Sequence, residues 1–254
     1  NYDFPAVQSG DVVKSEIPHK RPSGIEGLVF NTRNPLFSDW RVREALILAF
    51  NFEFINQTIA GGIQPRIPSY FGNSTLAMTP GAPAEGRVMD LLVPYRDSLL
   101  PGAIDGYALP VSDGSPANRK NIRAATRLLE EAGWTVGDDG VLKDKNGKPF
   151  AFEILLVNGQ DDMLAICAIY VEALKSLGIS ATVTKIDDAQ YKDRTNAYAF
   201  DMTHYIRGLS LSPGNEQTLY WGAAGVTEPG TRNWMGMNSP AAEAMIAELL
   251  KSRD

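Results

Sequence analysis

Strand-like and helix-like segments alternate along this chain of 254 residues, and their order restricts the possible folds more than any other feature. GLVFNT is typical of a short strand, and the segment after it places Val42, Ala45, Leu46, Ala49 and Phe50 on one apolar helical stripe. Further strands are predicted at PFAFEILLV, ISATVTKI and FDMTHYI, with a helix before each. Alternation of this kind predicts an α/β fold, in which helices pack on the faces of a sheet.

Local signals predict several details of this fold. Ser38 or Asp39 is expected to cap the first clear helix. A second helix, NRKNIRAATRLLEEAGW, is expected to end at Gly133 in the left-handed conformation. Asn146-Gly147 is typical of a hairpin turn. In the strand that follows, Phe150, Phe152, Ile154 and Leu156 alternate with Ala151, Glu153 and Leu155, which predicts a half-buried strand.

The segment from Gly61 to Pro116 is rich in Gly, Pro, Ser and Tyr, which predicts loops and one short helix around Arg87–Leu92. A third long helix is expected from Met163 to Leu177. Carboxylates just before or at the start of helices, as at Asp161-Asp162 and Asp187-Asp188, are expected to stabilise the helix N-termini rather than to bind a metal.

Composition and charge exclude several classes of protein. Hydrophobic residues make up 44% of the chain and charged residues 21%, which is ordinary for a globular protein. The net charge of −6 argues against a nucleic-acid-binding or anionic-membrane-binding protein. No apolar run in the sequence approaches the roughly 18 residues that span a bilayer.

Candidate catalytic and metal-binding groups are sparse. Cys167 is the single cysteine and lies in a helical pattern, so we expect a packed thiol rather than a reactive one. The two histidines, His19 and His204, are far apart in sequence, which makes a histidine-based metal site improbable. P-loop, GxGxxG, GxSxG and HExxH motifs are absent. We therefore expect no catalytic residues, no metal, no cofactor and no enzymatic activity.

The segment YIRGLSLSPGNEQTLYWG, Tyr205 to Gly222, is the strongest candidate for a binding site. A strand is predicted to stop at Arg207, and a Gly/Ser/Pro loop then leads to Asn215 and Glu216 and to two aromatic residues, Tyr220 and Trp221. Ligands of open α/β sheets bind where strands end. For single residues such as Ser210, Ser212 and Asn215, turn formation or helix capping is the favoured interpretation, whereas ligand contact is favoured for the segment as a whole.

Several segments in order resemble one known family. LVFNTRNPLFSDWRVREALILAFNFEFI is similar to the signature of the family 5 extracellular solute-binding proteins, the peptide and nickel receptors of ABC importers. NIRAATRLLEEAGW, VLKDKNGKPFAFEILL, LKSLGISATVTKIDDAQY and LSLSPGNEQTLYWG resemble later segments of that family. The last of these, with TRNWMGMNSPAAEAMI, resembles the subgroup linked to peptide and microcin C–type uptake.

The resemblance implies a fold and a domain organisation. It implies one lobe of a type II periplasmic binding protein, with a mixed sheet flanked by helices. Because the chain lacks an initiator Met and stops within a helical pattern, we expect it to be a piece of a longer protein. Residues 1–26 are then expected to be an arm entering from a first lobe, and residues 27–254 the second, ligand-binding lobe.

The resemblance also implies a site. Polar strand ends at Asn31 and Arg207 are expected to face one cleft between the lobes. The family's acidic partner for a ligand amino terminus is replaced near Leu209, and Glu216 is a candidate substitute. The predicted ligand-binding residues are Asn31, Arg33, Tyr70, Arg207, Ser210, Ser212, Asn215, Glu216, Trp221, Asn233 and Trp234.

The function implied by the resemblance is that of a periplasmic receptor which binds peptides or peptide-like solutes and delivers them to an ABC permease in the inner membrane, with no nucleic-acid partner. One alternative is a family 5 sensor domain of a transcriptional regulator, which predicts a helix-turn-helix upstream. Another is an α/β hydrolase, which would need His204 as its base and lacks a nucleophile elbow.

Overall fold

A computed structural model describes residues 3–251 of the chain. The helices of this part are α1 (Pro5–Gln8), α2 (Trp40–Ala49), α3 (Phe52–Ala60), α4 (Gly86–Leu92), α5 (Arg119–Glu131), α6 (Asp161–Lys175), α7 (Asp188–Asn196), α8 (Glu216–Trp221) and α9 (Pro240–Lys251). The strands are β1 (Ile25–Phe30), β2 (Thr135–Val136), β3 (Leu142–Lys143), β4 (Ala151–Val157), β5 (Ser180–Ile186) and β6 (Met202–Arg207). Short 3-10 turns occur at Pro35–Phe37, Val93–Ser98 and Ala223–Val226.

The central sheet is mixed, with strand order β1-β6-β4-β5. Strands β4, β5 and β6 are parallel to one another where they pair, and β1 runs antiparallel to β6. The carboxyl ends of β4, β5 and β6 therefore lie at one end of the sheet, together with the start of β1. We call this the carboxyl end of the sheet, and the opposite end the amino end.

One face of the sheet carries the main core. Phe152, Ile154 and Leu156 of β4 are buried there against α2, α5 and α6. Leu46 of α2 and Leu129 of α5 are at most 1% exposed in the same cluster. The apolar stripes that the sequence predicts for α2 and α5 are therefore the surfaces that pack on the sheet.

The other face is also covered, and this corrects one prediction. Leu155 was expected on the solvent side of a half-buried strand, but it is fully buried against Tyr198 and Phe200. The physical reason is that α7 and the segment after it pack on the second face, so β4 is buried on both faces at this position. Helices thus flank both sides of the mixed sheet.

Local signals are confirmed at several places. The side chain of Asp39 caps α2 by accepting the N–H of Arg41, as the capping prediction requires. Gly133 follows α5 with φ +87°. Gly147 has φ +78° in the turn after β3, and Asp187 caps α7 by accepting the N–H of Gln190.

The first segment and the long loop region meet at the start of β1. The N–H of Ser23 donates to the carbonyl of Gly72 at 2.8 Å, which ties the loop that carries Tyr70 to the beginning of the sheet. The predicted short helix of this region is α4. Helix α3 was not predicted, although Phe52, Ile55 and Ile59 stand at helical spacing; of its residues only Ile55 is buried. The assignment of residues 1–26 to an arm from another lobe stays a prediction.

Candidate functional site

The strand register corrects the predicted position of the site. Ile25 pairs with Arg207, and Phe30 pairs with Met202, because β1 and β6 are antiparallel. Asn31, which follows Phe30, therefore lies at the amino end of the sheet, while Arg207 lies at the carboxyl end. Asn31 stands level with Asp201, so six residue steps of about 3.4 Å separate it from the level of Arg207, about 20 Å in all. The prediction that Asn31 and Arg207 face one cleft is wrong.

Asn31 and Arg33 are occupied by bonds within the fold. Asn31 is 3% exposed, and its amide donates to the carbonyls of Tyr198 and Phe200 at 2.9 and 2.8 Å. The guanidinium of Arg33 lies 3.7 Å from the centroid of the Tyr198 ring. It donates to the side-chain oxygen of Asn31 and to four carbonyls, those of Gly225, Val226, Asn233 and Trp234.

Asn233 lies within the protein, and Trp234 is partly buried. Asn233 is fully buried, and its amide donates to the carbonyls of Gly222 and Met237. Trp234 packs on the second sheet face, 5.4 Å from the ring of Tyr205. These two residues shape the loop that follows α8. Like Asn31 and Arg33, they are not part of the candidate site at the carboxyl end of the sheet.

Two surface pockets lie away from the carboxyl end of the sheet. One, of about 410 Å³, is at the amino end and includes Asn31 and Arg33; its charged Arg194 pairs with Glu153 at 2.5 Å. The other, of about 470 Å³, lies beside the start of α2, where Arg41 pairs with Asp39. The charged groups of both pockets are thus satisfied internally, which makes them poor candidates for polar ligands.

Unsatisfied polar groups gather instead at the carboxyl end. Within residues 3–251, three buried side-chain atoms lack a well-formed hydrogen bond: Gln160 Oε1, Arg207 Nε and His204 Nε2, whose contact with Glu26 Oε1 is 3.4 Å long. Gln160 lies between β4 and α6, and the other two residues belong to β6. Buried polar atoms are nearly always bonded in folded proteins, and an exception needs an explanation. A site completed by a ligand is one such explanation.

Gln160 and His204 form a polar pair on the main core face. Gln160 Nε2 lies 2.8 Å from His204 Nδ1, and Glu26 Oε1 lies 3.4 Å from His204 Nε2. Burial lowers the pKa of His204, and the nearby carboxylate of Glu26 opposes that shift. The ring is therefore held neutral near pH 7. Among the residues that the structure describes, no hydroxyl or thiol is bonded to this ring, so His204 is not part of a hydrolase arrangement there.

An aromatic group lies on the opposite sheet face at the same end. The rings of Tyr70 and Trp221 meet edge to face with centroids 4.7 Å apart. The guanidinium of Arg207 lies 5.3 Å from the Tyr205 ring and 5.5 Å from the Tyr220 ring. Burial raises the pKa of Tyr70 to about 12, so its hydroxyl stays protonated and able to donate. The group offers apolar surface with polar tips.

The loop between β6 and α8 borders this group. Ser210 and Ser212 are exposed, and the hydroxyl of Ser210 accepts the N–H of Ser212 at 3.1 Å. Asn215 is exposed and makes no side-chain capping bond to α8. Glu216 accepts the N–H of Gly214 at 3.0 Å, and this bond lowers the pKa of its carboxyl. These hydroxyl, amide and carboxylate groups remain reachable from solvent.

Backbone geometry fixes where β1 begins beside this loop. Gly24 has φ +72°, and a Cβ at this position would lie 2.3 Å from the carbonyl oxygen of Arg207. Only glycine allows the incoming chain to approach β6 this closely. Gly24 thus sets the position of Arg207 relative to the loop that carries Tyr70.

The structure brings together seven of the predicted residues and adds others. The group at the carboxyl end comprises Tyr70, Arg207, Ser210, Ser212, Asn215, Glu216 and Trp221. Sequence reasoning missed Tyr205, although its spacing of two from Arg207 places both on one strand face. It also missed Gln160, for which the position directly after β4 was the available signal.

Two negative findings concern the described part of the chain. Between residues 3 and 251, no cluster of three or more His, Cys, Asp or Glu side chains could hold a metal ion. None of the helices in this range is both long and apolar enough to cross a membrane.

Comparison with known sequences identifies relatives over the whole chain. BMEII0691 of Brucella melitensis is 40% identical over 254 residues, which cover all of this chain and 41% of the relative. The peptidoglycan-binding protein YepA of Agrobacterium fabrum is 38% identical, with 99% of this chain and 40% of the relative covered. The chain thus spans about two fifths of the length of these relatives.

Comparison with solved structures concerns the fold. The oligopeptide-binding protein AppA of Bacillus subtilis, solved in complex with a nonapeptide, superposes with a TM-score of 0.66 at 20% identity. The match covers 98% of this chain and 46% of AppA. It confirms the predicted fold class, a mixed α/β lobe of the type II periplasmic binding proteins.

The family itself follows from a sequence model described as bacterial extracellular solute-binding proteins, family 5 Middle, which matches residues 3–228. Proteins of this family bind solutes and are not enzymes, as expected from the missing catalytic motifs. The match spans most of the chain and confirms the resemblance seen in the sequence. The chain belongs to the family 5 bacterial extracellular solute-binding proteins.

Proposed function

We propose that this chain is the second lobe of a periplasmic receptor that binds peptides or peptide-like solutes for an ABC importer. The carboxyl end of the sheet would form one wall of the ligand cleft, and a first lobe elsewhere in the full-length protein would form the other. The observation that carries the proposal is the convergence of unsatisfied polar atoms and aromatic rings at this end of the sheet.

The chemistry of this wall suits a peptide. A peptide presents amide N–H and carbonyl groups with side chains between them, so it needs donors, acceptors and apolar contact together. Gln160 supplies an amide, and Ser210 and Ser212 supply hydroxyls. Tyr70 and Trp221 supply aromatic surface. The names of YepA and AppA, which refer to peptidoglycan and oligopeptide binding, point to the same class of solute.

The mechanism would be closure of two lobes around the ligand. A ligand held between both lobes stabilises the closed form, provided that it binds this form more tightly than the open one. The permease in the inner membrane would then recognise the closed receptor. Because this lobe supplies only half of the contacts, we expect its affinity in isolation to be weak.

Calorimetry on the full-length protein tests the proposal. We expect heat of binding with pools of short peptides or with soluble peptidoglycan peptides. Replacing Trp221 by Ala should weaken binding about tenfold or more, as for a central aromatic contact in an interface. Trp40→Ala is the matched control, since Trp40 is 38% exposed and lies at the start of α2, away from the carboxyl end.

Two results would overturn the proposal. One is the absence of heat with every peptide pool alongside clear binding of a sugar or a metal chelate. The other is peptide binding that is equally strong in the parent protein and in a folded Trp221→Ala variant.

A further inference from the structure

Two arginines share one aromatic ring at the carboxyl end of the sheet. The guanidinium carbons of Arg207 and Arg232 lie 5.5 and 5.4 Å from the centroid of the Tyr220 ring. Arg232 also donates to the hydroxyl of Tyr220 at 2.9 Å. Both arginines also contact Tyr205. The guanidinium of Arg207 lies over the Tyr205 ring, and the Tyr205 hydroxyl donates to the backbone carbonyl of Arg232 at 3.3 Å.

These two cations lack carboxylate partners. Across the described residues, neither Arg207 nor Arg232 forms an ion pair within 4 Å. Four arginines do, namely Arg41, Arg66, Arg87 and Arg194, and others, such as the exposed Arg123, do not. The chain as a whole carries a net charge of −6, so carboxylates are not scarce. Two positive charges are thus left near each other at the proposed ligand wall.

The carboxylate of Glu216, at the end of the loop that follows Arg207, does not pair with them. Glu216 begins α8, and its oxygens accept the N–H of Gly214 and the side-chain amide of Gln217 at 3.0 and 3.1 Å. Arg207 is only partly exposed, and its Nε is buried without an acceptor. Like charges that contact one ring repel each other, and an anion bound beside them offsets that repulsion. The arrangement is therefore complementary to an external oxyanion.

We propose that Arg207 and Arg232, which both contact Tyr220, form a subsite for a carboxylate of an acidic peptide-like ligand. This inference rests on the proposed function and specifies the ligand class of the same site. Guanidinium groups are always charged and present planar forks of N–H donors that match a carboxylate. Both groups contact the ring of Tyr220, and Arg232 also donates to its hydroxyl, so they are ordered before the ligand arrives. A phosphate has the same oxyanion chemistry and is tested separately below.

The subsite predicts selectivity between charged and neutral ligands of equal shape. Hydrogen bonds between charged groups contribute roughly 1.5–3 kcal/mol each, which corresponds to about 10- to 100-fold in affinity. A ligand with a carboxylate at the right position should therefore bind at least about tenfold more tightly than its carboxamide isostere. The preference should shrink as salt is raised, because Arg232 is exposed and its field is screened.

The experiment is a peptide scan on the full-length protein. Pentapeptides carry Glu, Gln or phosphoserine at one position at a time, each with a free or an amidated carboxyl terminus, and binding is measured by calorimetry. The parent protein is expected to prefer a carboxylate over its amide at one position, by about tenfold or more. Arg232→Gln and Arg207→Gln should reduce this ratio to within about twofold.

Two further variants make the result specific. Arg232→Lys keeps the charge but not the planar fork, so it should retain part of the preference. Arg123→Gln removes one positive charge from the exposed surface of α5 and should leave the ratio unchanged. A purely structural role of the arginines would alter the binding of charged and neutral peptides by the same factor.

The outcomes separate the two proposals. Peptide binding with no preference for a carboxylate, or with a preference that survives in both Gln variants, overturns the subsite alone. A stronger preference for phosphoserine than for Glu overturns the assignment to a carboxylate. Failure of every peptide to bind overturns the proposed function, and the subsite falls with it.

Discussion

Replacing Arg33 by Lys gives the sharpest test of how the amino end of the sheet is held together. Arg33 uses five N–H donors, four toward backbone carbonyls of residues 225–234 and one toward Asn31. Lys has three donors, so at least two of these bonds are lost. At about 1–1.5 kcal/mol each, with a further 0.5–1 kcal/mol or so for the contact with the Tyr198 ring, the expected loss is about 2.5–4 kcal/mol.

Urea and thermal unfolding of the full-length protein measure this loss. For a domain of this size, about 1 kcal/mol shifts the midpoint by roughly 2–4 °C, so the midpoint of this lobe should fall by roughly 5–15 °C. Arg123→Lys is the matched control, because Arg123 is exposed on α5 and the same exchange there should stay within about 0.5 kcal/mol. The affinity of folded Arg33→Lys for peptide should stay within about twofold of the parent.

Two results would refute the reasoning. A loss of stability below about 1 kcal/mol would mean that the five bonds do not hold the loop after α8 to the sheet. An unchanged stability with a large loss of peptide affinity would mean that Arg33 contacts the ligand, as the sequence first suggested.

Three other predictions follow from single positions. Gly24→Ala should lower the free energy of unfolding in urea by more than about 2 kcal/mol, because the new Cβ would lie 2.3 Å from the carbonyl oxygen of Arg207. The control Gly133→Ala, which has a similar φ but open space around the Cβ, should cost about 1 kcal/mol, and equal losses in the two variants would contradict this prediction. His204 has its pKa lowered by burial below the ordinary 6.5, so the unfolded chain binds the proton more tightly, and stability should fall as pH drops through about 6.5. In His204→Gln that part of the pH dependence should vanish, and an unchanged dependence in urea titrations at pH 7.5 and 5.5 would contradict it. Burial raises the pKa of Cys167 to about 12, so a thiol reagent at pH 8 should react with it only after unfolding; rapid reaction with the folded protein would contradict this.

Helix caps and turns could be predicted from the sequence because the interactions that form them join residues a few positions apart. Asp39 caps α2 through a bond to an N–H two residues away, and Gly133 ends α5 through its own backbone conformation. The alternation in β4 correctly identified Phe152 and Ile154 as core residues. It failed at Leu155, because burial there depends on a second layer formed by residues about 45 positions later, such as Phe200.

Only part of the candidate site could be predicted from the sequence, because the rest depends on contacts between residues far apart in the chain. Strand polarity decides which polar strand ends meet, and β1 pairs with a strand that lies more than 170 residues later. Without that register, Asn31 and Arg207 looked equivalent. The donors of Arg33 likewise find carbonyls about 190–200 residues away. Arg207 and Trp221 could be selected because strand, loop and aromatic residues are contiguous in sequence.

A crystal structure of the full-length protein with a bound ligand tests the central claim most directly. The account predicts that the ligand contacts Arg207, Tyr70 and Trp221 at the carboxyl end of the sheet, with an oxyanion of the ligand beside Arg232. A ligand bound at the amino end, against Asn31 and Asp201, with the Arg207 group far from it, would contradict the account.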